Sequence, residues 1–234
     1  MTLVRVENVS KIYWEGSLPI TALSSVSLQI EEGSFVALCG PSGSGKTTLL
    51  NLIGCLDKAT EGKIYLEEET ITVLPQGKLS ELRLRKIGFI FQDYNLIPTF
   101  TVAENIEYVL WLQGVSSAER RKKSSRICER FGIGSLIHRR PSQLSRGQQQ
   151  RVAVARAIIH QPRLVLGDEI TANLDQKTGM DLMEFLKERN QQEGISFLYA
   201  THDPVMLKYA GRVIRMQDGQ VIDQTQLSER RNSG

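Results

Sequence analysis

The chain has 234 residues, of which 41% are hydrophobic and 24% are charged, and its formal net charge is +3. This composition is ordinary for a globular protein, and the length is sufficient for one large α/β domain or a domain with a subdomain. The small net charge gives no general attraction to nucleic acid, and we expect no nucleic-acid partner. No apolar run approaches the ~18 residues that a membrane span needs, and the N-terminus lacks the basic and apolar segments of a signal peptide. We therefore expect any action at a membrane to proceed through a partner.

The three cysteines, Cys39, Cys55 and Cys128, are scattered without the spacing of a metal site. Cys39 falls in a short apolar run that predicts a buried strand. This pattern favours a reducing, cytosolic environment.

The first thirty residues predict two strands joined by a loop. Residues 3–9 alternate apolar and polar side chains, and residues 20–30 end in the same pattern. The predicted loop at 11–17 carries Tyr13 and Trp14. These rings could stack on an adenine base or cover the end of the sheet, and their spacing alone leaves both open.

The next segment fits the pattern G-x-x-x-x-G-K-[ST]. It consists of Gly40, Pro41, Ser42, Gly43, Ser44, Gly45, Lys46, Thr47 and Thr48. A buried strand is predicted before it and a helix after it, which is the context of a phosphate-binding loop. Glycines let backbone N–H groups surround an anion, and the helix start adds partial positive charge. We expect Lys46 to reach the β- and γ-phosphates of a nucleotide and the Thr47 hydroxyl to hold Mg²⁺.

The middle of the chain changes from strands to helices. Residues 63–66 and 71–73 predict a strand pair, and residues 87–91 a buried strand that ends at Gln92. Helices are predicted at 101–112 and 117–131, and the basic run at 120–123 is typical of a solvated face. Ser145 has the residue type of a helix cap and begins a further helix.

The last third alternates strands and helices again. Residues 163–169 predict a buried strand that ends in Asp168 and Glu169, and residues 195–200 predict another that is followed by His202. An amphipathic helix is predicted at 176–192 between them. Residues 212–216 and 220–222 predict a hairpin, and the last ten or so residues are polar and are predicted to be mobile.

Alternating strands and helices imply a parallel sheet, whose ligands gather at the carboxyl ends of its strands. The glycine-rich loop, Gln92, the Asp168–Glu169 pair and His202 each follow a predicted strand. Asp168 suits Mg²⁺, Glu169 could polarise an attacking water, and His202 could bind a γ-phosphate. A strand-end carboxylate is often only a cap and a lone histidine is usually structural, but these four features together, one of them the glycine-rich loop, favour a nucleotide-hydrolysing site.

Six motifs in order resemble those of the ATP-binding subunits of ABC transporters, over nearly the whole chain. They are a Walker A loop (Gly40–Thr48), a Q-loop glutamine (Gln92), a signature sequence (Leu144–Gln148), a Walker B strand with its catalytic glutamate (Leu164–Glu169), a D-loop (Ala172–Asp175) and a switch histidine (His202). Tyr13 stands where the family has an adenine-stacking aromatic residue. The sequence departs from the family at Gly167, at Ile170 in place of proline and at Arg146 in place of the first signature glycine, where the guanidinium could itself contact phosphate.

The resemblance implies a fold and a division of the chain. It implies one ABC ATP-binding domain over residues 1–234, with an α/β P-loop NTPase (RecA-like) core. A small antiparallel β-subdomain is expected mainly at 1–35 and 62–75, and an inserted α-helical subdomain at about 93–160.

The resemblance also implies a function and a site. The catalytic residues would be Glu169, His202, Gln92 and Lys46, and Mg²⁺ would be held by Thr47, Gln92 and Asp168. ATP would be bound by Tyr13 and Gly40–Thr48, and in trans by Ser145, Gly147, Gln148 and Asp175 of a second subunit. The implied protein is an ATPase that forms a homodimer through ATP and drives an integral membrane permease, at the cytoplasmic face of the inner or plasma membrane.

Residues 54–62, 88–92 and 101–106 resemble the branch that contains lipoprotein-releasing and macrolide-exporting ATPases, which implies export or extraction from the membrane. The alternative is a non-transport ABC ATPase of the cell-division or mechanical-regulator type. A permease would be received by residues 93–112, which carry Leu96, Ile97, Phe100 and Trp111.

Overall fold

The structure is a computed structural model that describes residues 1–227. The polar C-terminal stretch beyond Leu227, for which the sequence predicts mobility, lies outside these residues. The strands of the described part are β1 (Thr2–Glu15), β2 (Leu18–Glu31), β3 (Phe35–Cys39), β4 (Glu61–Leu66), β5 (Glu69–Thr70), β6 (Ile87–Ile90), β7 (Leu164–Asp168), β8 (Ser196–Ala200), β9 (Arg212–Gln217) and β10 (Gln220–Gln226). The α-helices are α1 (Lys46–Ile53), α2 (Gln76–Lys86), α3 (Val102–Leu112), α4 (Ser117–Arg130), α5 (Arg146–Ile158), α6 (Gln176–Glu193) and α7 (Pro204–Leu207).

A six-stranded sheet in the order β10-β9-β3-β8-β7-β6 forms the centre of the molecule. Its strands are parallel except for β10, which pairs antiparallel with β9. All five residues of β3 are buried, because both faces of the sheet are covered. Phe35 and Ala37 pack into the core shared with α3, α5 and α6, whereas Val36 and Leu38 pack into the core shared with α1 and the second sheet.

The second sheet has four strands in the order β2-β1-β4-β5, and all of its pairs are antiparallel. One face of it is apolar and packs on α1 and the central sheet through residues such as Val4, Val9, Leu23 and Ile64. The other face carries the polar members of the alternation. This sheet therefore fixes the β1–β2 hairpin relative to the glycine-rich loop that precedes α1.

Two sequence-based predictions for this sheet were wrong. Residues 11–15 belong to β1 and do not form a loop, because pairing with β2 and a hydrogen bond from the Ile12 N–H to the Thr60 hydroxyl (3.0 Å) extend the strand. Residues 71–73 form a 3₁₀ turn in which Ile71 is buried, and β4 instead pairs with the short β5.

Helices α3, α4 and α5 pack together beside β6 and share one core with the central sheet. Capping boxes start α3 at Thr101 and α5 at Ser145, as the Ser145 prediction requires. Within residues 1–227, no helix has both the length and the apolar composition that a bilayer crossing demands.

Candidate functional site

The glycine-rich loop lies between the end of β3 and the start of α1. Gly45 has a φ of +94°, and a Cβ there would lie 2.6 Å from the carbonyl oxygen of Ala22. At Gly40 a Cβ would lie 2.2 Å from the carbonyl oxygen of Met216. Side chains are therefore excluded at both positions, which leaves the backbone N–H groups and the first turn of α1 free to face an anion.

The Lys46 side chain is buried inside this loop. Its ammonium donates to the carbonyl oxygens of Gly40 (2.9 Å) and Pro41 (2.8 Å), and the Ser44 hydroxyl lies 3.4 Å away. Phosphate oxygens are stronger acceptors for an ammonium than neutral carbonyls are. The lysine thus stands where a phosphate bound to the loop would compete for it.

Thr47 and Asp168 bring two oxygen ligands together at the same sheet edge. The Thr47 hydroxyl donates to Asp168 Oδ2 at 2.8 Å. Burial raises the pKa of the Asp168 carboxyl, and the Thr47 hydrogen bond opposes that rise. In the part of the chain that is described, no cluster of three or more His, Cys, Asp or Glu side chains could hold a metal. A hydroxyl and one carboxylate instead suit Mg²⁺, which takes its remaining ligands from phosphates and water.

Glu169 and His202 meet at the ends of the neighbouring strands β7 and β8. Glu169 has a φ of +45°, which costs an L-residue roughly 1–2 kcal/mol. Its N–H donates to the Ala200 carbonyl (3.1 Å), and this bond fixes the left-handed turn. The Glu169 Oε1 lies 2.9 Å from His202 Nδ1, and since an ionised carboxylate only accepts, the histidine N–H is the donor.

The loop after β6 is held by Asn173, a member of the predicted D-loop, and by Arg156, which no motif assigned. Asn173 donates to the Gln92 carbonyl at 2.8 Å, and the half-buried Arg156 donates to the carbonyls of Tyr94 (2.8 Å) and Asn95 (2.6 Å). Tyr94 and Asn95 are both left-handed, with φ of +61° and +46°. A charged residue on the apolar side of α5 was the signal that could have identified Arg156. The Gln92 side chain itself is exposed and makes no hydrogen bond within residues 1–227.

Tyr13 lies near the tip of the β1–β2 hairpin, and its side chain is 39% exposed. Its hydroxyl donates to Asp57 Oδ2 at 2.8 Å, and the Lys11 ammonium, 2.8 Å from Asp57 Oδ1, lies 4.7 Å from the ring centroid. Since Asp57 follows α1 closely, these contacts tie the ring to the helix that begins at the phosphate-binding loop.

Ser145, Gly147, Gln148 and Asp175 form a separate group at the starts of α5 and α6. The Ser145 hydroxyl accepts from the Gln148 N–H (3.3 Å), and the Gln148 side chain accepts from the Ser145 N–H (2.9 Å). Asp175 caps α6 by accepting from the Thr178 N–H (3.0 Å). A Cβ at Gly147 would lie 3.2 Å from Thr178 Cγ2, so the two helix starts are adjacent. In the described residues, none of the side-chain hydrogen bonds of this group reaches the glycine-rich loop.

Gly167 and Ile170 explain each other. A Cβ at Gly167 would lie 2.7 Å from Ile170 Cγ2, so a branched side chain at 170 needs a glycine at 167. The departures from the family pattern at Gly167 and Ile170 are therefore linked, because the small residue makes room for the branched one.

Comparisons with known proteins agree with this geometry. The sequence model of the family described as ABC transporter matches residues 23–172, more than half of the chain. An uncharacterized ABC transporter ATP-binding protein of Thermotoga maritima is 41% identical over 219 residues, which cover 94% of this chain and 93% of that protein. The macrolide export ATP-binding/permease protein MacB of Brucella melitensis is 43% identical over 223 residues, covering 95% of this chain but only 34% of its own length.

A dimeric structure of the ATP-binding cassette MJ0796 of Methanocaldococcus jannaschii, described as a post-hydrolysis state bound to ADP and Pi, superposes with a TM-score of 0.91. It is 42% identical in sequence, and the match covers 96% of this chain and 98% of that one. The α/β P-loop NTPase fold expected from the sequence is thereby confirmed. The chain belongs to the ABC transporter family and is one of its ATPase cassettes.

Proposed function

We propose that ATP is hydrolysed at the sheet edge where the Thr47–Asp168 and Glu169–His202 pairs stand beside the glycine-rich loop. This arrangement supports the proposal because it places a phosphate cradle, two oxygen ligands and a carboxylate for water in one place. The nucleotide phosphates bind the N–H groups of residues 40–48 and the Lys46 ammonium. On binding, the ammonium exchanges its hydrogen bonds to backbone carbonyls for bonds to phosphate oxygens. Thr47, Asp168 and Gln92 would hold Mg²⁺, which would neutralise charge on the phosphates.

Glu169 orients the attacking water and accepts its proton. The left-handed backbone at Glu169 and the hydrogen bond to His202 hold this carboxylate in place. His202 contacts the γ-phosphate when the pair rearranges around substrate. Positioning and electrostatic stabilisation, rather than covalent chemistry, account for the rate.

Tyr13 stacks on the adenine ring. The exposed ring and its anchorage to Asp57 support this role, since a stacking platform must be accessible and held still.

Two copies of the chain bind two ATP molecules head to tail. Ser145, Gly147, Gln148 and Asp175 lie on one surface and provide a helix N-terminus suited to a γ-phosphate held by the other copy. Two structures of MJ0796 are described as dimeric, which supports this arrangement.

A separate membrane permease is the partner that ATP binding and hydrolysis drive. MacB is named as an ATP-binding/permease protein, and this chain matches about a third of it, which supports a division of labour between two chains here. The cassette is then peripheral, at the cytoplasmic face of the inner or plasma membrane. Its work is export or extraction from the membrane.

The test is a pair of variants, Glu169→Gln and Lys46→Ala. Glutamine keeps the size of Glu169 but cannot take a proton, so turnover should fall about 10²–10⁴-fold while ATP affinity is retained. Lys46→Ala should weaken ATP binding itself. Steady-state phosphate release and direct ATP titration measure the two effects, and near wild-type turnover in Glu169→Gln would assign the base to another residue.

A further inference from the structure

Gln150 is a buried polar residue on α5 that the proposed mechanism does not use. Its side chain is 1% exposed, and its amide Nε2 donates to the carbonyl oxygen of Ile170 at 2.7 Å. Ile170 is the residue directly after Glu169. The bond therefore crosses from the helix that starts at the signature sequence to the backbone that carries the proposed base.

The other end of the same amide argues against a role in stability. Gln150 Oε1 is buried and has no hydrogen-bond partner in the part of the chain that the structure describes. Leaving an amide oxygen buried and unpaired costs more than a neutral hydrogen bond gains net. An apolar side chain of the same length would fill this space without that penalty.

The backbone that Gln150 binds directly follows a residue in an unfavourable conformation. Glu169 is left-handed, with a φ of +45°, and its own N–H is bound to Ala200 on β8. Its carbonyl accepts from the Ala172 N–H at 3.0 Å. Gln150 fixes the next carbonyl, so the peptide between Glu169 and Ile170 and the turn after it are restrained from both sides.

We propose that Gln150 is a positioning residue, which holds the Ile170 carbonyl and thereby keeps the Glu169 carboxylate in the geometry for water activation. This inference rests on the proposed role of Glu169. A backbone rotation at Ile170 would move a side chain one residue away, and a displacement of about 1 Å at a reacting group can cost up to about 10²-fold in rate. Gln150 makes no hydrogen bond to Tyr13 or to residues 40–48, which we propose to bind the nucleotide, so ATP affinity is not expected to change.

The test compares Gln150→Met with Gln149→Met. Methionine matches glutamine in length but cannot donate to a carbonyl. Gln149 is a suitable control because it directly precedes Gln150 on α5. Its side chain also donates to a backbone carbonyl, that of Leu144 at 3.2 Å, which is not adjacent to Glu169. We expect kcat of Gln150→Met to fall by at least tenfold, with ATP affinity within about twofold of wild type and a thermal midpoint no lower than that of Gln149→Met. Gln149→Met should keep its kcat.

A second variant separates loss of the bond from a change in polarity. Gln150→Asn keeps the amide but is one methylene too short to reach Ile170, and it should also lose kcat. The proposal is overturned if Gln150→Met turns over like Gln149→Met, or if either Gln150 variant loses ATP binding and thermal stability together with activity, since Gln150 would then serve general stability. A wild-type protein that hydrolyses no ATP, or a fully active Glu169→Gln variant, would instead refute the proposed function.

Discussion

Tyr13 is anchored through its hydroxyl, so its ring and its oxygen can be tested apart. Tyr13→Ala removes the ring and should weaken ATP binding by roughly 1–3 kcal/mol, the range for base–aromatic stacking. Tyr13→Phe loses the hydroxyl but keeps the ring and its contact with the Lys11 ammonium, so its affinity should remain near that of wild type. The matched control is Trp14→Ala, since Trp14 is the next residue of β1 and is 68% exposed. Isothermal titration distinguishes the variants, and unchanged affinity in Tyr13→Ala with a loss in Trp14→Ala would transfer the role to Trp14.

His160, just after α5, gives a pH dependence of stability whose sign is fixed by burial. Burial lowers the pKa of His160 from 6.5 to about 4, and the backbone of Ile87 only partly opposes this. Between pH 6.5 and 4 the unfolded chain therefore binds a proton that the folded protein does not. The free energy of unfolding should decrease as the pH falls through this window.

His160→Leu should remove that contribution, so its unfolding free energy should depend less on pH between 6.5 and 4 than that of wild type. The exposed His138 provides the control, and His138→Leu should keep the wild-type slope. Urea unfolding at several pH values measures both. Parallel pH profiles for wild type and His160→Leu would mean that His160 is protonated in the folded state.

At the scale of elements, an aromatic row is formed by Tyr108 and Trp111 of α3 together with Phe100, which precedes the helix. The ring centroids of Phe100 and Tyr108 are 5.7 Å apart and those of Tyr108 and Trp111 are 5.8 Å apart. Trp111 is 56% exposed, whereas Leu96, which the sequence grouped with this surface, packs against the core. An exposed aromatic surface next to the Gln92 loop is suited to a protein partner.

We expect Trp111→Glu to release the permease while basal ATP hydrolysis and folding stay as in wild type. Met180→Glu is the control, because Met180 is an exposed apolar residue on a different helix, α6. Co-purification from membranes and ATP hydrolysis by the isolated cassette provide the two measurements. If basal hydrolysis falls along with the complex, Trp111 stabilises the cassette and the permease binds elsewhere.

The elements also show how far sequence reasoning reaches. The strands buried on both faces, such as β3 and β8, were predicted because a short, continuous apolar run is typical of a strand in the middle of a covered parallel sheet. The outer part of β1 was not, since four of the residues 11–15 are polar or aromatic and the segment is a strand through its pairing with β2. Local composition carries no information about that partner.

The residues of the candidate site also differ in how far the sequence predicts them. The residues that we propose to act through side-chain chemistry, such as Lys46, Asp168 and Glu169, were suggested by motifs. Gln150, Asn173 and Arg156 act on backbone carbonyls of loops 20 to 81 positions away, and no pattern in the sequence states which carbonyl a side chain meets.

At the scale of the whole molecule, one chain holds one phosphate-binding loop and one signature sequence. In the proposed head-to-tail arrangement each site takes its loop from one copy and its signature sequence from the other, so no turnover is expected from a single copy. Mixing Lys46→Ala with Ser145→Arg subunits tests this directly. A head-to-tail heterodimer of the two has one site with both defects and one with neither, so it should regain part of the activity that each parent lacks. Phosphate release by the mixture, compared with each variant alone, is the measurement.

The same arrangement predicts that the specific activity of wild type rises with protein concentration. A mixture of Lys46→Ala with wild type is the control for subunit exchange. If activity does not depend on concentration and the two variants do not rescue each other, the signature sequence acts within its own chain.

Arg156 on helix α5 binds the carbonyls of Tyr94 and Asn95 in the loop after Gln92. Because of these bonds, we expect the loop and the helix to move together. The left-handed backbone of Tyr94 and Asn95 cannot relax without giving up both bonds to the guanidinium. Eleven residues of helix, about 16 Å at the usual rise, separate Arg156 from Ser145. If a partner displaces the loop, we therefore expect helix α5 to move with it. The movement would reach Ser145, at the end of the helix that we propose to face the other copy's nucleotide.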